Sequence, residues 1–269
     1  MVASINSNVN SLAVQKNLVG IQERMRVALS KLSSGSRIPT AAADAAGLAI
    51  GQVMDALLAE TGQCINNVSD GMSMVQTAEG GTREISNNLN RIRELSIQSR
   101  NGIYSAQDRA SMQEEVNQLV GEIDRISQST SFNRMTLLDG SLSADIAVSA
   151  EDSITVSAGD LQAEALGVNA IDITTYEGAA AAINAVDFAI DSVSSTAGRL
   201  GAMTNRLESS INSLRNNFET LSASKSRIMD ADIAKETANL IQGQIQEQAG
   251  VAMLTQANMS PYRILQLLG

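Results

Sequence analysis

Apolar residues in the last third of the chain recur at alternating spacings of three and four: Ile183, Val186, Ile190, Val193, Ala197, Leu200, Thr204, Leu207, Ile211, Leu214, Phe218, Leu221, Lys225 and Ile228. This is a heptad seam, and it predicts one helix over about 176–228, with Thr174 and Glu177 as its capping box. At roughly 1.5 Å per residue such a helix is about 80 Å long, so the expected molecule is a rod. The same spacing runs through Ile50, Met54, Leu57, Thr61, Cys64 and Val68, and resumes past Gly80-Gly81 at Ile85, Leu89, Ile92 and Leu95. These stretches read as one long helix with a bend at the glycines. A third seam, Met112, Val116, Leu119, Ile123 and Ile126, follows the helix stop Asn101-Gly102 and the capping box Ser105/Asp108. Three antiparallel seams close around one another. Between 132 and 173 the period changes to two, with Ile146 and Val148 then Ile154 and Val156 flanking Ala150-Glu151-Asp152. That pattern predicts a hairpin capping one end of the rod, entered through a turn at Leu137-Leu138-Asp139-Gly140.

The two ends of the chain carry seams of their own. Leu18, Ile21, Met25, Ala28 and Leu32 predict a separate helix over 5–32, followed by a non-helical linker from Ser33-Ser34-Gly35-Ser36 to Pro39. Ile233, Thr237, Leu240 and Ile241 open a Gln-rich helix expected to close at Ser260-Pro261, beyond which Ile264, Leu265, Leu267 and Leu268 form an apolar tip. The fold class is therefore mainly α: an elongated helical rod over 45–232 with a small β region at 132–173, and paired terminal helices over 1–44 and 233–269. Both chain ends are expected at the same end of the molecule.

Composition narrows the chemistry. The chain has 269 residues, no histidine, no tryptophan and one cysteine. Absence of histidine removes imidazole bases, Ser-His-Asp and Cys-His nucleophile systems, and the commonest transition-metal ligand. A lone cysteine excludes an intrachain disulfide and a thiolate cluster. The net charge of −10 leaves no basic surface for a phosphate backbone, so no nucleic acid is expected. No apolar run approaches the roughly 18 residues of a membrane span, and the residues alone predict a soluble chain without a cleaved targeting segment. Residues 1–60 hold five basic and four acidic groups and residues 225–269 hold four of each, whereas the stretch between them is strongly acidic. Near-neutral ends can converge with little repulsion while the acidic middle stays solvated, which points to self-assembly through the ends.

Each candidate site has a plainer explanation. Glu114-Glu115 are helix neighbours that diverge by about 100° and fit a solvated face. Asp230-Ala231-Asp232 lacks the third ligand and glycine of a calcium loop and fits an N-cap before Ile233. Cys64 lies on a seam, as a small buried hydrophobe does, and Gly80-Gly81 lacks the strand context of a phosphate loop. Met54 and Met112 fall on seams, and Arg91, Arg93 and Glu94 form an exposed charged patch. No catalytic residue, cofactor or metal site emerges, and no enzyme is expected.

Ordered motifs across the chain resemble the bacterial flagellin family. They include Ser4-Ile5-Asn6-Ser7-Asn8, Leu32-Ser33-Ser34-Gly35-Ser36-Arg37-Ile38, Asp44-Ala45-Ala46-Gly47 and Asp70-Gly71-Met72-Ser73-Met74-Val75-Gln76-Thr77-Ala78-Glu79-Gly80. Further on stand Arg91-Ile92-Arg93-Glu94-Leu95-Ser96-Ile97-Gln98, Glu122-Ile123-Asp124-Arg125-Ile126, Phe132-Asn133, Gly198-Arg199-Leu200-Gly201-Ala202 and the segment 249–258. Ser36 and Pro39-Thr40-Ala41 depart from the family's usual residues. The resemblance implies a minimal flagellin without outer domains, forming a homopolymeric filament for swimming motility. It implies secretion through the flagellar type III export apparatus with a chaperone, and an extracellular location. Further implied partners are the filament cap and hook-junction proteins and the vertebrate innate immune receptor for flagellin, whose contact surface maps onto Arg91, Leu95 and Glu115. Assembly is expected to use Leu18, Ile21, Met25, Leu32, Leu240, Ile241, Val251, Leu254, Leu265 and Leu268. A hook-filament junction protein shares the end helices but usually departs in the Arg-Glu-Leu segment. A helical-hairpin signalling module would run heptads to its tip, without the alternating strands.

Overall fold

A computed structural model describes the backbone of residues 7–268 and the side chains of residues 7–259. Helix α1 (Val9–Ser34) starts where Asn8 Oδ1 accepts the Ser11 N–H at 3.1 Å, four residues later than its seam predicts. It ends at Gly35, whose φ of +67° is the left-handed conformation that closes helices. The linker is anchored, not loose. Arg37 N donates to Met229 O at 2.7 Å, Ala231 N to Gly35 O at 2.9 Å, and Ser36 Oγ donates to the same Met229 carbonyl. Ser36 thus ties the linker to the junction between the last two helices. Asp44 then caps α2 (Ala45–Ser99) by accepting the Gly47 N–H at 2.9 Å.

The chain folds into two compact units, one of Met1–Leu58 with Thr220–Gly269 and one of Ala59–Glu219. Their boundary falls inside two helices, α2 and α4 (Tyr176–Met229), where the seams placed the division at 44/45 and 232/233.

In the unit of Ala59–Glu219 one core is shared by α2, α3 (Ala106–Ser129) and α4 (Tyr176–Met229). Ile85, Leu89, Ile92, Val116, Ile123, Leu200 and Leu207 are fully buried there. Helix α2 continues without interruption through Gly80-Gly81. Gly81 lets another segment close in, since a Cβ there would lie 2.7 Å from both Leu138 Cδ1 and Thr130 Oγ1. The capping box of α3 forms as expected, Ser105 Oγ accepting from Asp108 N while Asp108 Oδ2 accepts from Ser105 N.

Two expectations for α4 need correction. Thr174 is not the cap: its hydroxyl donates to Asp172, and Thr175 Oγ1 accepts the Gly178 N–H at 3.0 Å. Nor is the whole expected seam buried, although its Val186, Val193, Leu200, Leu207 and Ile211 are. Ala179, Ala182, Val186, Ala189, Val193, Thr196 and Leu200 face inward, Ile183 and Ile190 sit on its flank, and Ala197 and Phe218 are exposed. Likewise Ile50 and Leu57 at the start of α2 are exposed, and the buried seam begins at Cys64.

Two small antiparallel hairpins follow α3. The first, β1 (Ser131–Phe132) with β2 (Met135–Thr136), turns on Asn133 and Arg134 with φ of 48° and 68°, the double positive φ of a type I′ turn. The second pairs β3 (Ser143–Ala147) with β4 (Ser153–Ser157), Ile146 opposite Ile154 and Ala144 opposite Val156, so one face is apolar as the alternation predicts. It packs on the flank of α2, where Ile146 enters the dent left by Gly71 and Glu60 accepts from Ala150 N. The bare backbone of Gly71 explains why a helix side receives it. Gln113 of α3 then clamps the return to α4, donating to Ile171 O and accepting from Ile173 N.

Candidate functional site

Helix α5 (Ile233–Leu268) is capped by Asp232, whose Oδ1 accepts the Lys235 N–H at 3.0 Å. It does not close at Ser260; its backbone remains helical past Pro261 to Leu268. Within its unit α5 pairs with α1, and among the described residues this is the helix pair whose backbones run closest. Glycines make the approach possible. A Cβ at Gly243 would stand 2.5 Å from Met25 Cγ, and one at Gly250 would stand 2.6 Å from Leu18 Cδ2. Spaced seven apart, the two glycines form successive holes for two knobs of α1.

Polar groups fix the register of the pair. Lys31 Nζ lies 3.2 Å from Glu236 Oε1, with side chains only 22% and 13% exposed. Gln22 donates to Glu247, Arg24 to Gln246, and Asn8 Nδ2 to the Ala257 carbonyl. Hydrogen bonds from Asn239 and from Lys31 hold the Glu236 carboxyl below its ordinary value.

Two helices cannot cover each other's full circumference, and the residues expected to serve assembly divide accordingly. Ile21 is buried, while Leu18, Met25, Leu32, Leu240 and Leu254 are half-buried, Leu18 and Met25 against the glycines of α5. Ile241 and Val251 instead point outward, 51% and 53% exposed. Leu265 and Leu268 lie outside the residues whose side chains are described. Sequence reasoning missed much of the outer face: Val9, Leu12, Val19 and Leu29 on α1, and Ile245, Met253 and Met259 on α5, are also exposed. The signal was present in the number of apolar residues, which exceeds what a single seam can hold. Gly243 and Gly250 were missed as well, although their heptad spacing is readable.

The second group of expected site residues does not share one environment. Arg91 and Glu115 are exposed and joined by a 2.8 Å ion pair between α2 and α3, and Arg91 also meets Glu94 at 3.2 Å. These partners raise the Arg91 guanidinium further above its ordinary range, Glu115 most. Leu95, by contrast, is 2% exposed and belongs to the core. Arg93 is engaged with Asp187 at 2.6 Å. Among the described residues no three His, Cys, Asp or Glu side chains converge on a possible metal position, and no helix is long and apolar enough to cross a membrane.

A helix pair stapled by glycine holes and an edge ion pair, with apolar side chains facing away from its own core, defines a helical structural protein. Comparison with known proteins gives that class its family. Residues 5–143 match the bacterial flagellin N-terminal helical region and residues 183–268 the bacterial flagellin C-terminal helical region. The chain is 41% identical to the flagellin of Halalkalibacterium halodurans, with 98% of this chain and 99% of that one covered. It is 38% identical to the flagellin of Bacillus subtilis and 37% identical to the flagellar filament 33 kDa core protein of Treponema phagedenis, at the same coverages. Among solved structures, Bacillus cereus flagellin is similar at 30% identity and a TM-score of 0.52, over 55% of this chain and 88% of that one. A putative flagellar hook-associated protein from Vibrio parahaemolyticus shares the fold at 15% identity and a TM-score of 0.62, over 70% of this chain and 100% of that one. The chain belongs to the bacterial flagellin family. It is a structural subunit of the flagellar filament and not an enzyme.

Proposed function

We propose that this subunit polymerises through the outward faces of α1 and α5, with residues 1–44 and 233–269 forming the inner part of the filament and the remainder lying outside it. The observation that carries this reading is the exposure of Ile241 and Val251 on a helix whose opposite face is already committed to α1. Burying the exposed half of side chains of that size contributes roughly 1 kcal/mol each, and a further copy of the chain supplies the cover. Before assembly the subunit is handed by a chaperone to the flagellar type III export apparatus and secreted; outside the cell it meets the filament cap and hook-junction proteins. The near-neutral charge of both terminal segments supports convergence of many copies on one axis.

The test is a double variant, Ile241→Asp with Val251→Asp. Because both side chains already face solvent, monomer helicity and melting should stay near those of the parent, while filaments seen by electron microscopy disappear. Normal filaments from this variant would remove α5's outer face from the assembly surface.

For the vertebrate receptor, the exposed pair Arg91 and Glu115 is the recognition surface we propose. Leu95 contributes by holding α2 in the core beneath it. Arg91→Ala should leave melting almost unchanged, since exposed ion pairs add little to stability, while receptor activation in a reporter cell falls several-fold. A large drop in melting would show instead that the ion pair holds α2 to α3.

A further inference from the structure

The turn joining α2 to α3 contains an Asn-Gly pair, Asn101-Gly102, the one such pair in the sequence. Its ends are pinned. Arg109 reaches back from α3, donating through Nε to Ser99 O and through Nη2 to Tyr104 O, both at 3.1 Å. Asn101 N donates to Gln98 O at 3.0 Å. Between these anchors the backbone is exposed, and Ile103 beyond it is 79% exposed.

Three local features bear on the chemistry of Asn101. Its Oδ1 accepts the Ile103 N–H at 3.3 Å, which withdraws electron density from Cγ and makes that carbon more electrophilic. Its Nδ2 has no hydrogen-bond partner among the described residues, so nothing anchors the departing nitrogen. The Gly102 N–H has no acceptor among them either, and a Cβ at residue 102 would meet nothing within 4 Å. Other Asn residues, such as Asn66 and Asn67 in α2, precede residues whose N–H groups belong to a helix ladder and are unavailable as nucleophiles.

We propose that Asn101 is a spontaneous modification site, where the Gly102 amide nitrogen attacks Asn101 Cγ and converts the residue to a mixture of aspartate and isoaspartate. In the first step a bond forms between Gly102 N and Asn101 Cγ. The Gly102 nitrogen loses its proton, the Cγ–Nδ2 bond breaks and ammonia leaves, giving a five-membered succinimide. Water then adds to either succinimide carbonyl and opens the ring, yielding aspartate or, by cleavage at the main-chain carbonyl, isoaspartate. No oxidant, metal or enzyme enters the balance; the Arg109 guanidinium spans the turn from Ser99 O to Tyr104 O, while that of Arg100 is held over the Tyr176 ring. Glycine at 102 matters because a Cβ there would crowd the approach of nitrogen to Cγ. Each conversion adds one negative charge at the carbonyl end of α2, where the helix dipole disfavours it, and isoaspartate inserts a methylene into the turn closed by Tyr104 N and Asn101 O.

The experiment incubates the purified full chain in neutral buffer at growth temperature and samples it over days. Proteolysis in heavy-oxygen water marks any conversion that occurs during digestion. The fragment from Asn101 to Arg109 should gain one mass unit progressively, with isoaspartate predominating and accepting a methyl group from isoaspartyl methyltransferase, while fragments holding Asn66 and Asn67 stay unchanged. Gly102→Ala should slow the gain by an order of magnitude or more while circular dichroism stays that of the parent. The proposal is overturned if the folded chain gains no mass while its urea-unfolded form does, because the fold would then lock the turn. Equal rates in the parent and in Gly102→Ala would overturn it too.

Discussion

Gly80 and Gly81 are adjacent in α2 and have opposite surroundings. A Cβ at Gly80 would meet nothing within 4 Å, whereas one at Gly81 would strike Leu138 and Thr130. Replacing a helical glycine in open space by alanine removes backbone entropy from the unfolded chain, a gain of roughly 0.5–1 kcal/mol. Adding a methyl to a filled position costs about 1–3 kcal/mol through displaced neighbours. Gly80→Ala should therefore raise the melting temperature and Gly81→Ala lower it, as read by thermal denaturation of the two single variants. If both variants shift the same way, the contact between Gly81 and the segment after α3 is not what separates them. Sequence could not distinguish the pair, because what differs is contributed by Thr130 and Leu138, about fifty residues away. The same holds for Gly71 beneath Ile146 and for Gly243 and Gly250 beneath Met25 and Leu18.

At the scale of elements, periodicity located every long helix, because apolar spacing is a property of one segment and survives without knowledge of its neighbours. What it misjudged was which of two adjacent stripes turns inward. In α4 the expected Val186, Val193 and Leu200 do turn inward, but Ala182, Ala189 and Thr196 complete the buried stripe where Ile183, Ile190 and Ala197 were expected. Caps were legible when the hydroxyl and carboxyl partners were both local, as at Ser105 and Asp108, and off by one residue where Thr174 and Thr175 compete for the same role. The β1–β2 turn escaped notice because Asn133-Arg134 carries no glycine. Of the outward apolar residues of α5, Ile241 and Val251 were legible as members of the expected set, while Ile245 and Met253 were not. The Lys31–Glu236 pair yields an element-scale prediction. Glu236 has a folded value depressed below its ordinary 4.5 by Asn239 and then Lys31. It therefore stabilises the α1–α5 pair fully above that value and loses its contribution as pH falls through the depressed one. Helicity of the terminal segments, followed by site-specific hydrogen exchange from neutral to acid pH, should fall over this window. In Glu236→Gln the pair should be weaker at neutral pH and lose less on acidification. An unchanged acid response in that variant would assign the transition to other carboxylates.

For the whole molecule the two units differ in what stabilises them. The unit of Ala59–Glu219 encloses a core fed by three helices and a hairpin, and it holds most of the acidic residues. In the unit of Met1–Leu58 with Thr220–Gly269, the buried apolar side chains among the described residues are Ile21, Ala28 and Ile38, while many of comparable size face solvent. Ordering a residue costs on the order of 1–2 kcal/mol in backbone entropy, and an isolated helix gains little beyond its own hydrogen bonds. The terminal pair, covering itself on one side only, is therefore marginal as a free chain. Covering the second side with another subunit compensates the ordering entropy at the moment of assembly. Hydrogen exchange should show this as a difference in kind between units: in the monomer, amides at Ile21, Leu29, Leu240 and Val251 exchange quickly, while those at Ile92, Val116 and Leu207 are protected near the global limit. In filaments the first group should slow by orders of magnitude and the second change little. Equal protection of α1, α5 and the three-helix core in the monomer would mean that the terminal pair folds to full stability by itself, and the drive to polymerise would then have to come from surfaces elsewhere on the subunit.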